Sequence, residues 1–256
     1  MSPNNTSNHE NIQRNTLTRK FGQELNQIKS NVLRMGGLVE QQIEIAIGAL
    51  MNMDLDAAIN VIHGDTEVNA LERTIDALAV RLIACHQPVA SDLRLLIASM
   101  KIASDLERMG DEAQKIGRMT KLMIENNGLV SPRFYEINAM STATRDMLRK
   151  SLDAYVRLDV SDAIEIIRDD QSIDELFRFF LGDLIQFMLD NSKFITQGIE
   201  LLWIAKAFER MGDHAKNIGE HVIYAAIGED VRHGSDMSYP WNVNPLGKTA
   251  PIISTF

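Results

Sequence analysis

Apolar residues recur every three or four positions through most of this chain. From Phe21 the series Leu25, Ile28, Val32, Met35, Val39, Ile43, Ile47 and Leu50 keeps that step, which marks one buried face of a long helix. Gly36-Gly37 interrupts the pattern, and a break falls near Asp54. A second helix carries Ala58, Val61, Ile62, Val68, Leu71, Ile75, Leu78 and Leu82 and ends around His86-Gln87-Pro88, since proline lacks the N–H a continuing helix needs. A third runs from about Ser91 to Asn126, with Asn127-Gly128 closing it. Beyond Pro132 the plan restarts, with helices over 134–158, 161–190 and 193–227. No segment alternates with the period of two that strands require. The pattern predicts an all-α protein.

The restart is a duplication. An offset of 105 carries Asp54, Ala58, Ile59, Asp65 and Leu71 onto Asp159, Ala163, Ile164, Asp170 and Leu176 without a change of residue. An offset of 102 carries Glu107-Arg108-Met109-Gly110-Asp111 onto Glu209-Arg210-Met211-Gly212-Asp213, and Ile116-Gly117 onto Ile218-Gly219. A period this long exceeds a solenoid module. The expected architecture is therefore a tandem repeat of two three-helix bundles, six long antiparallel helices in all, each copy burying its own core. The predicted divisions are an unstructured arm over 1–17, a first bundle over 18–128, a second over 129–228 and a mobile tail over 229–256.

Composition narrows the setting. With 256 residues and a formal net charge of −9, the chain lacks the basic face of a nucleic-acid binder. Cys85 is the sole cysteine, so no internal disulfide forms. No apolar run approaches the roughly 18 residues of a membrane span, and the first twenty residues show no signal-peptide pattern. The expected location is cytoplasmic.

The chemistry sits in the twin motif. Glu107 and Asp111, like Glu209 and Asp213, lie one turn apart on a helix face, where like charges repel. The second helix of each unit carries a matching pair, Asp65 with Asn69 and Asp170 with Asp174. When helices two and three fold into a hairpin, pairs 65/111 and 69/107 are both centred on Pro88. Pairs 170/213 and 174/209 are centred between Asn191 and Ser192. Both centres coincide with turns read independently, so in each half the acids should meet at equal depth. On a helical wheel Glu107 borders the arc of Leu96, Met100, Ala103 and Gly110, while Arg108 points away from it. Carboxylates about 5 Å apart at an effective dielectric near 20 repel by roughly 3 kcal/mol per pair. Protonation, a lysine or arginine, or a bound cation relieves this.

An isolated Glu-x-x-x-Asp is ordinarily a solvated helix face; two copies, each opposed by acids, point to metal. The predicted metal ligands are Asp65, Glu107, Asp111, Asp170, Asp174, Glu209 and Asp213. Glu72 and Asp76 continue the first track, with surface ion pairing an equal reading. His63, His86 and His221 read as surface or turn residues, His214 as diverging from its neighbour Asp213, and Cys85 as a small buried apolar residue. An all-oxygen set suits Mg, Ca, Mn, Fe or Zn. The Glu-x-x-His of di-iron bundles is missing, as are a phosphate loop, a Gly-x-Ser-x-Gly elbow and a cysteine–histidine nucleophile. No catalytic residue or organic cofactor is predicted. A metal-dependent phosphohydrolase and a metal-storage protein are the alternatives to a non-enzymatic metal-binding protein.

Gln87-Pro88-Val89-Ala90-Ser91-Asp92-Leu93-Arg94, the two Glu-Arg-Met-Gly-Asp copies and Lys216-Asn217-Ile218-Gly219-Glu220-His221-Val222-Ile223-Tyr224 together resemble the PhoU family, over about 21–233. The resemblance implies two three-helix bundles whose Glu/Asp-x-x-x-Asp motifs carry iron or zinc clusters, or magnesium or manganese. Six of the predicted acids match those motifs fully; Asp65 matches, but Asn69 stands where an acid is expected. The resemblance further implies a negative regulator of the phosphate-starvation (Pho) regulon and of phosphate uptake. Such a protein is an adaptor between a phosphate-specific ABC transporter ATPase and a PhoR-type sensor histidine kinase. It would form a homodimer, and would reach the membrane only through those partners.

Overall fold

The computed structural model describes residues 4–126 and 135–232, excepting the side chains of 4–18 and of Asp65. Seven α-helices follow in order among these residues: α1 (Asn4–Asn52), α2 (Leu55–His63), α3 (Asp65–His86), α4 (Ala90–Glu125), α5 (Tyr135–Arg157), α6 (Val160–Asp190) and α7 (Ile195–Ile227). A single 3₁₀ turn, Ser192–Phe194, leads into α7. The first bundle is α1, α2 with α3, and α4; the second is α5, α6 and α7.

Two boundaries differ from the sequence reading. The segment expected as an arm is helical from Asn4. No Gly or Pro stands between Pro3 and Gly22, so a helix nucleated by the packed part of α1 extends backwards at little cost. The second helix of the first unit is two helices, broken at Gly64, whose N–H turns back to Val61 O at 3.2 Å. The repeat-equivalent residue is Asp169, and α6 passes through it unbroken. Gly36-Gly37, in contrast, leaves α1 continuous. A Cβ on Gly36 would stand 2.4 Å from Leu152 Cδ1, so its bare backbone is what lets α5 lie against α1. The expected closing turn at Asn127-Gly128, and the tail from 233 on, fall outside the described residues.

The duplication is visible bond by bond. The chain turns through left-handed Met53 (φ 50°) and Leu158 (φ 54°) before each second helix. Asp54 N–H then donates to Ala49 O at 2.9 Å, and Asp159 N–H to Ala154 O at 3.0 Å. Both aspartates cap the next helix: Asp54 Oδ1 accepts from Ala57 N–H at 3.0 Å, and Asp159 Oδ1 from Ser161 N–H at 2.9 Å. Side-chain capping of this kind satisfies orphan amides of a first turn. The Ile-Gly pairs also repeat one role. A Cβ on Gly117 would lie 3.0 Å from Ala58 O, and one on Gly219 3.1 Å from Ala163 O. Each third helix thus crosses the start of its second helix at backbone distance.

The two cores are one. α4 packs along α7, and α1 reaches α5, so a single apolar cluster runs from Ile28 and Val32 through Leu106 and Met109 to Phe208 and Met211. Tyr155 of α5, fully buried, joins its hydroxyl to Ser99 Oγ of α4 at 2.6 Å, and Ser99 Oγ–H is within 2.7 Å of Leu95 O. Outside, Arg145 meets Glu44 at 3.3 Å and Arg149 Nε donates to Glu40 at 2.7 Å, tying α5 to α1. Each expected three-helix unit is present, but neither closes its core alone.

Gly219→Ala gains about 1 kcal/mol of helix propensity yet drives a methyl into a helix carbonyl, so a net loss of about 1–2 kcal/mol is expected in urea unfolding. A net gain in that experiment would show that the close crossing is not needed. Burial pushes the Tyr155 hydroxyl up to about 12, against a lesser pull from Ser99. The folded chain therefore holds this proton more tightly than the unfolded one. Its contribution is intact below pH 10 and lost as pH rises toward 12, by about 2 kcal/mol. Alkaline unfolding of Tyr155→Phe should show a correspondingly shallower fall.

Candidate metal centre

In the second bundle α6 and α7 run antiparallel, joined by the Asn191–Phe194 turn, and their register matches the hairpin read from sequence. A Cβ on Gly212 would lie 3.2 Å from Asp170 Oδ1 and 3.0 Å from Ile173 Cδ1, while Lys206 Nζ stands 5.5 Å from the Phe177 ring centre. Asp170, Asp174, Glu209 and Asp213 are thereby brought into one electrostatic cluster. Asp170 is only 5% exposed. Burial pushes the Asp213 carboxyl up; Asp170, Glu209 and Asp174 push it further, and Lys216 opposes them. Glu209 Oε2 is buried with no hydrogen-bond donor in range.

Two lysines share in neutralising these acids. Lys216 Nζ donates to Asp170 Oδ2 at 3.0 Å, and Lys206 Nζ to Glu209 Oε1. Each sits three residues from a motif acid, on its own helix face. Among the described residues no three His, Cys, Asp or Glu side chains are drawn together tightly enough to hold an ion. The second quartet as folded is a lysine-bridged acidic cluster. Two features of it bear on a cation, the orphaned Glu209 oxygen and an aspartate whose ionisation its neighbours oppose. Hard oxygen donors of this sort suit Mg, Mn or Fe, with Zn possible.

The first bundle is placed less fully. Glu107 and Asp111 lie on α4, with Arg108 Nε 3.9 Å from Glu107. Glu72 of α3 lies against Ser104, Arg108 and Asp111: burial raises its carboxyl, Asp76 adds to this, and Ser104 and Arg108 oppose it. The 72/104 pairing is centred on Pro88, as the sequence register requires. Asp65 opens α3 directly after the Gly64 break, and its side chain lies outside the described residues.

Sequence reasoning missed a second polar centre. Asp105 of α4 is buried, and three side chains of α7 converge on it. His214 Nδ1 lies 2.9 Å from Oδ1, Asn217 Nδ2 donates to Oδ1 at 3.2 Å, and His221 Nε2 lies 3.2 Å from Oδ2. Burial alone would raise this carboxyl, but the three contacts outweigh it and hold Asp105 below its usual range. His221, read from sequence as a surface or turn residue, is 8% exposed. His214 was read in relation to Asp213, but its partner is on another helix. The available signal was the spacing of 214, 217 and 221, which share one helix face, opposite an acid that opens only the first motif copy. Cys85 is exposed rather than buried; in the last turn of α3 it lines an open cavity with Phe21, Pro88 and Val89.

These features define a class: a duplicated helical-bundle protein with an acidic hairpin and a close-crossing Ile-Gly pair in each half. The chain belongs to the PhoU family, whose PhoU domain matches residues 32–120 and again 137–222. A phosphate-specific transport system accessory protein PhoU homolog of Pseudomonas putida is 40% identical over 218 residues, covering 85% of this chain and 84% of that protein. The accessory protein PhoU of Escherichia coli K12 is 38% identical over 217 residues, covering 85% and 89%. The crystal structure of PhoU from Pseudomonas aeruginosa superposes with a TM-score of 0.77 at 38% identity, covering 82% of this chain and all of that one. A phosphate transport system regulatory protein PhoU from Streptococcus pneumoniae gives 0.76 at 32% identity, covering 82% and 99%.

Asp213→Asn removes a charge that its neighbours oppose. Metal-free protein carrying it should melt at the same or slightly higher temperature, while its metal affinity falls about tenfold or more, at ~1.4 kcal/mol per decade. Thermal melts with and without added Mn check both halves; an undiminished metal-induced rise in Tm would remove Asp213 from the ligand set.

Proposed function

We propose that this chain is a metal-stabilised regulatory accessory protein of phosphate uptake, without turnover of its own. Asp170, Asp174, Glu209 and Asp213 would hold one cation or cluster in the second bundle. Glu107 and Asp111, with Asp65, would supply a leaner set in the first, because Asn69 brings no charge. The observation that carries the metal reading is the buried, donor-free Oε2 of Glu209 inside a cluster of acids. A bound divalent ion supplies positive charge that the two lysines only partly provide, and so pins α6 to α7.

The regulatory half of the reading is supported by the family and by the relatives named as phosphate-specific transport system accessory proteins. On this reading the chain restrains the phosphate-starvation response by bridging the ATPase of a phosphate-specific ABC transporter and a PhoR-type sensor kinase. It would do so from the cytoplasmic side and as a homodimer. No helix among the described residues is long and apolar enough to cross a membrane.

The test pairs elemental analysis of the purified chain with capture of the transporter ATPase and the kinase at high and low phosphate. Bound metal in a small whole-number ratio and capture that is stronger at high phosphate are the expected results. Turnover of a phosphate ester that scales with loaded metal would instead make the chain a hydrolase. Capture that ignores phosphate level would end the adaptor reading.

A further inference from the structure

The turn between α3 and α4 is built differently from its counterpart in the second bundle. Val89 precedes the first turn of α4, where a side-chain oxygen commonly caps a helix, and it makes no such bond. It is 75% exposed. Gln87 and Ala90, flanking Pro88-Val89, are both left-handed, with φ of 47° and 49°, a conformation uncommon outside glycine. The backbone thus holds an apolar side chain out in water. Beside it lies an open cavity of ≈390 Å³, lined also by Phe21, Cys85, His86, Gln87, Pro88 and Asp92. In the second bundle the matching turn is covered by its own aromatic pair, Phe187 stacked on Phe194 at 5.8 Å.

The chain itself supplies an occupant. After α7, Gly228 sits against the start of α4, where a Cβ would lie 3.4 Å from the Arg94 guanidinium carbon. Val231 packs on the core. Arg232, the last described residue, feels the charges of Glu220 and Tyr224, and Lys101 Nζ stands 5.7 Å from the Tyr224 ring. The chain therefore passes Arg232 near the level of Lys101, about 18 Å along α4 from Val89. At ~3.3 Å per extended residue, Tyr239 and Trp241 come within about 23 and 30 Å of Arg232. Pro240 and Pro245 favour the extended backbone that this reach requires. Exposed Ile199 and Trp203, near the start of α7, stand about 30 Å or more from Tyr224, at or past the end of that reach. Over 233–256 the charged side chains, with histidine neutral, are Asp236 and Lys248. The stretch thus carries its aromatics without the net charge that keeps such segments solvated.

We propose that the Tyr239–Leu246 segment of this chain packs into the cavity at the α3–α4 turn, laying an aromatic ring over Val89 and Cys85. At about 30 Å³ per water the cavity has space for about a dozen waters, or for one large ring and a neighbouring side chain. Tyrosine and tryptophan suit it because an apolar ring carries one polar atom. Asp92 and the Gln87 amide in the lining accept from such an O–H or N–H. Docked in this way, the segment ties the end of α7 to the hairpin of the first bundle and to Phe21 of α1. Nothing in the contact needs a metal or another protein.

Cys85 is the sole cysteine and stands in the cavity lining, so its thiol reports the cover. The test compares its rate of reaction with dithionitrobenzoate in the full-length parent chain and in a Tyr239→Ser, Trp241→Ser double variant. A covered group reacts through its open state, so the variant should react about tenfold faster at unchanged helix content. Trp203→Phe leaves Trp241 as the remaining tryptophan and gives a second readout. Its emission should lie to the blue of a synthetic 233–256 peptide and move to the red when Val89→Asp is added. Equal thiol rates in the parent and the double variant, or Trp241 emission that matches the free peptide, overturns the proposal. Protection of Cys85 that disappears on dilution gives the cavity to a second copy of the chain and overturns it as well.

Discussion

Antiparallel packing of α4 on α7 is the contact on which the remaining structure depends. Each of these helices belongs to its own bundle and also covers the other's, so each buries residues around much of its circumference. Apolar burial supplies the driving force without fixing which turn meets which. Fixing the register falls to Asp105. A buried carboxylate must be paired, and losing its donors would strand a charge in the interior at a cost of about 3–5 kcal/mol. Its three donors stand on α7 at 214, 217 and 221, so sliding by one turn would strip it of them. Lys115 over Trp203 at 5.0 Å and Lys101 over Tyr224 at 5.7 Å extend the same alignment toward the two ends.

The duplication explains both what is alike in the halves and where they part. Turns that share only the capping aspartate and the alanine five residues before it make the same bonds, through left-handed Met53 and Leu158. Divergence follows single substitutions. Gly64 in place of Asp169 splits one helix, and Ala207 in place of Asp105 leaves the polar cluster on one side only. An ancestral symmetry of contacts has been kept for the frame and broken where charge is handled.

Much of this was legible in the sequence because it is local or follows from one turn. The periodicity of apolar residues located the helices, and Pro88 with Asn191-Ser192 gave the hairpin register that puts Asp170 beside Gly212 and Glu72 beside Ser104. What escaped depends on how hairpins meet. Asp105, His214 and His221 are separated by about a hundred residues and by an interface that no turn specifies, so each looked unremarkable on its own helix. The lysines were a different failure. Lys206 and Lys216 lie within reach of motif acids at i, i+3, a spacing written in the chain, and they partly answer the repulsion from which a metal was inferred.

Those lysines also join the two polar centres. Lys216 bonds Asp170 and feels Asp213, and it feels Glu220, whose carboxyl burial raises and whose other neighbours are His221, Arg232 and Asp105. Lys216 therefore stands between the acidic hairpin of the second bundle and the cluster that fixes α4 on α7. Acids on both sides raise the proton affinity of Lys216, so a change of charge in either set is felt by the other through it. Such coupling needs no moving domain. It requires a lysine with acids on both sides, less than two turns of helix from the histidine that holds Asp105.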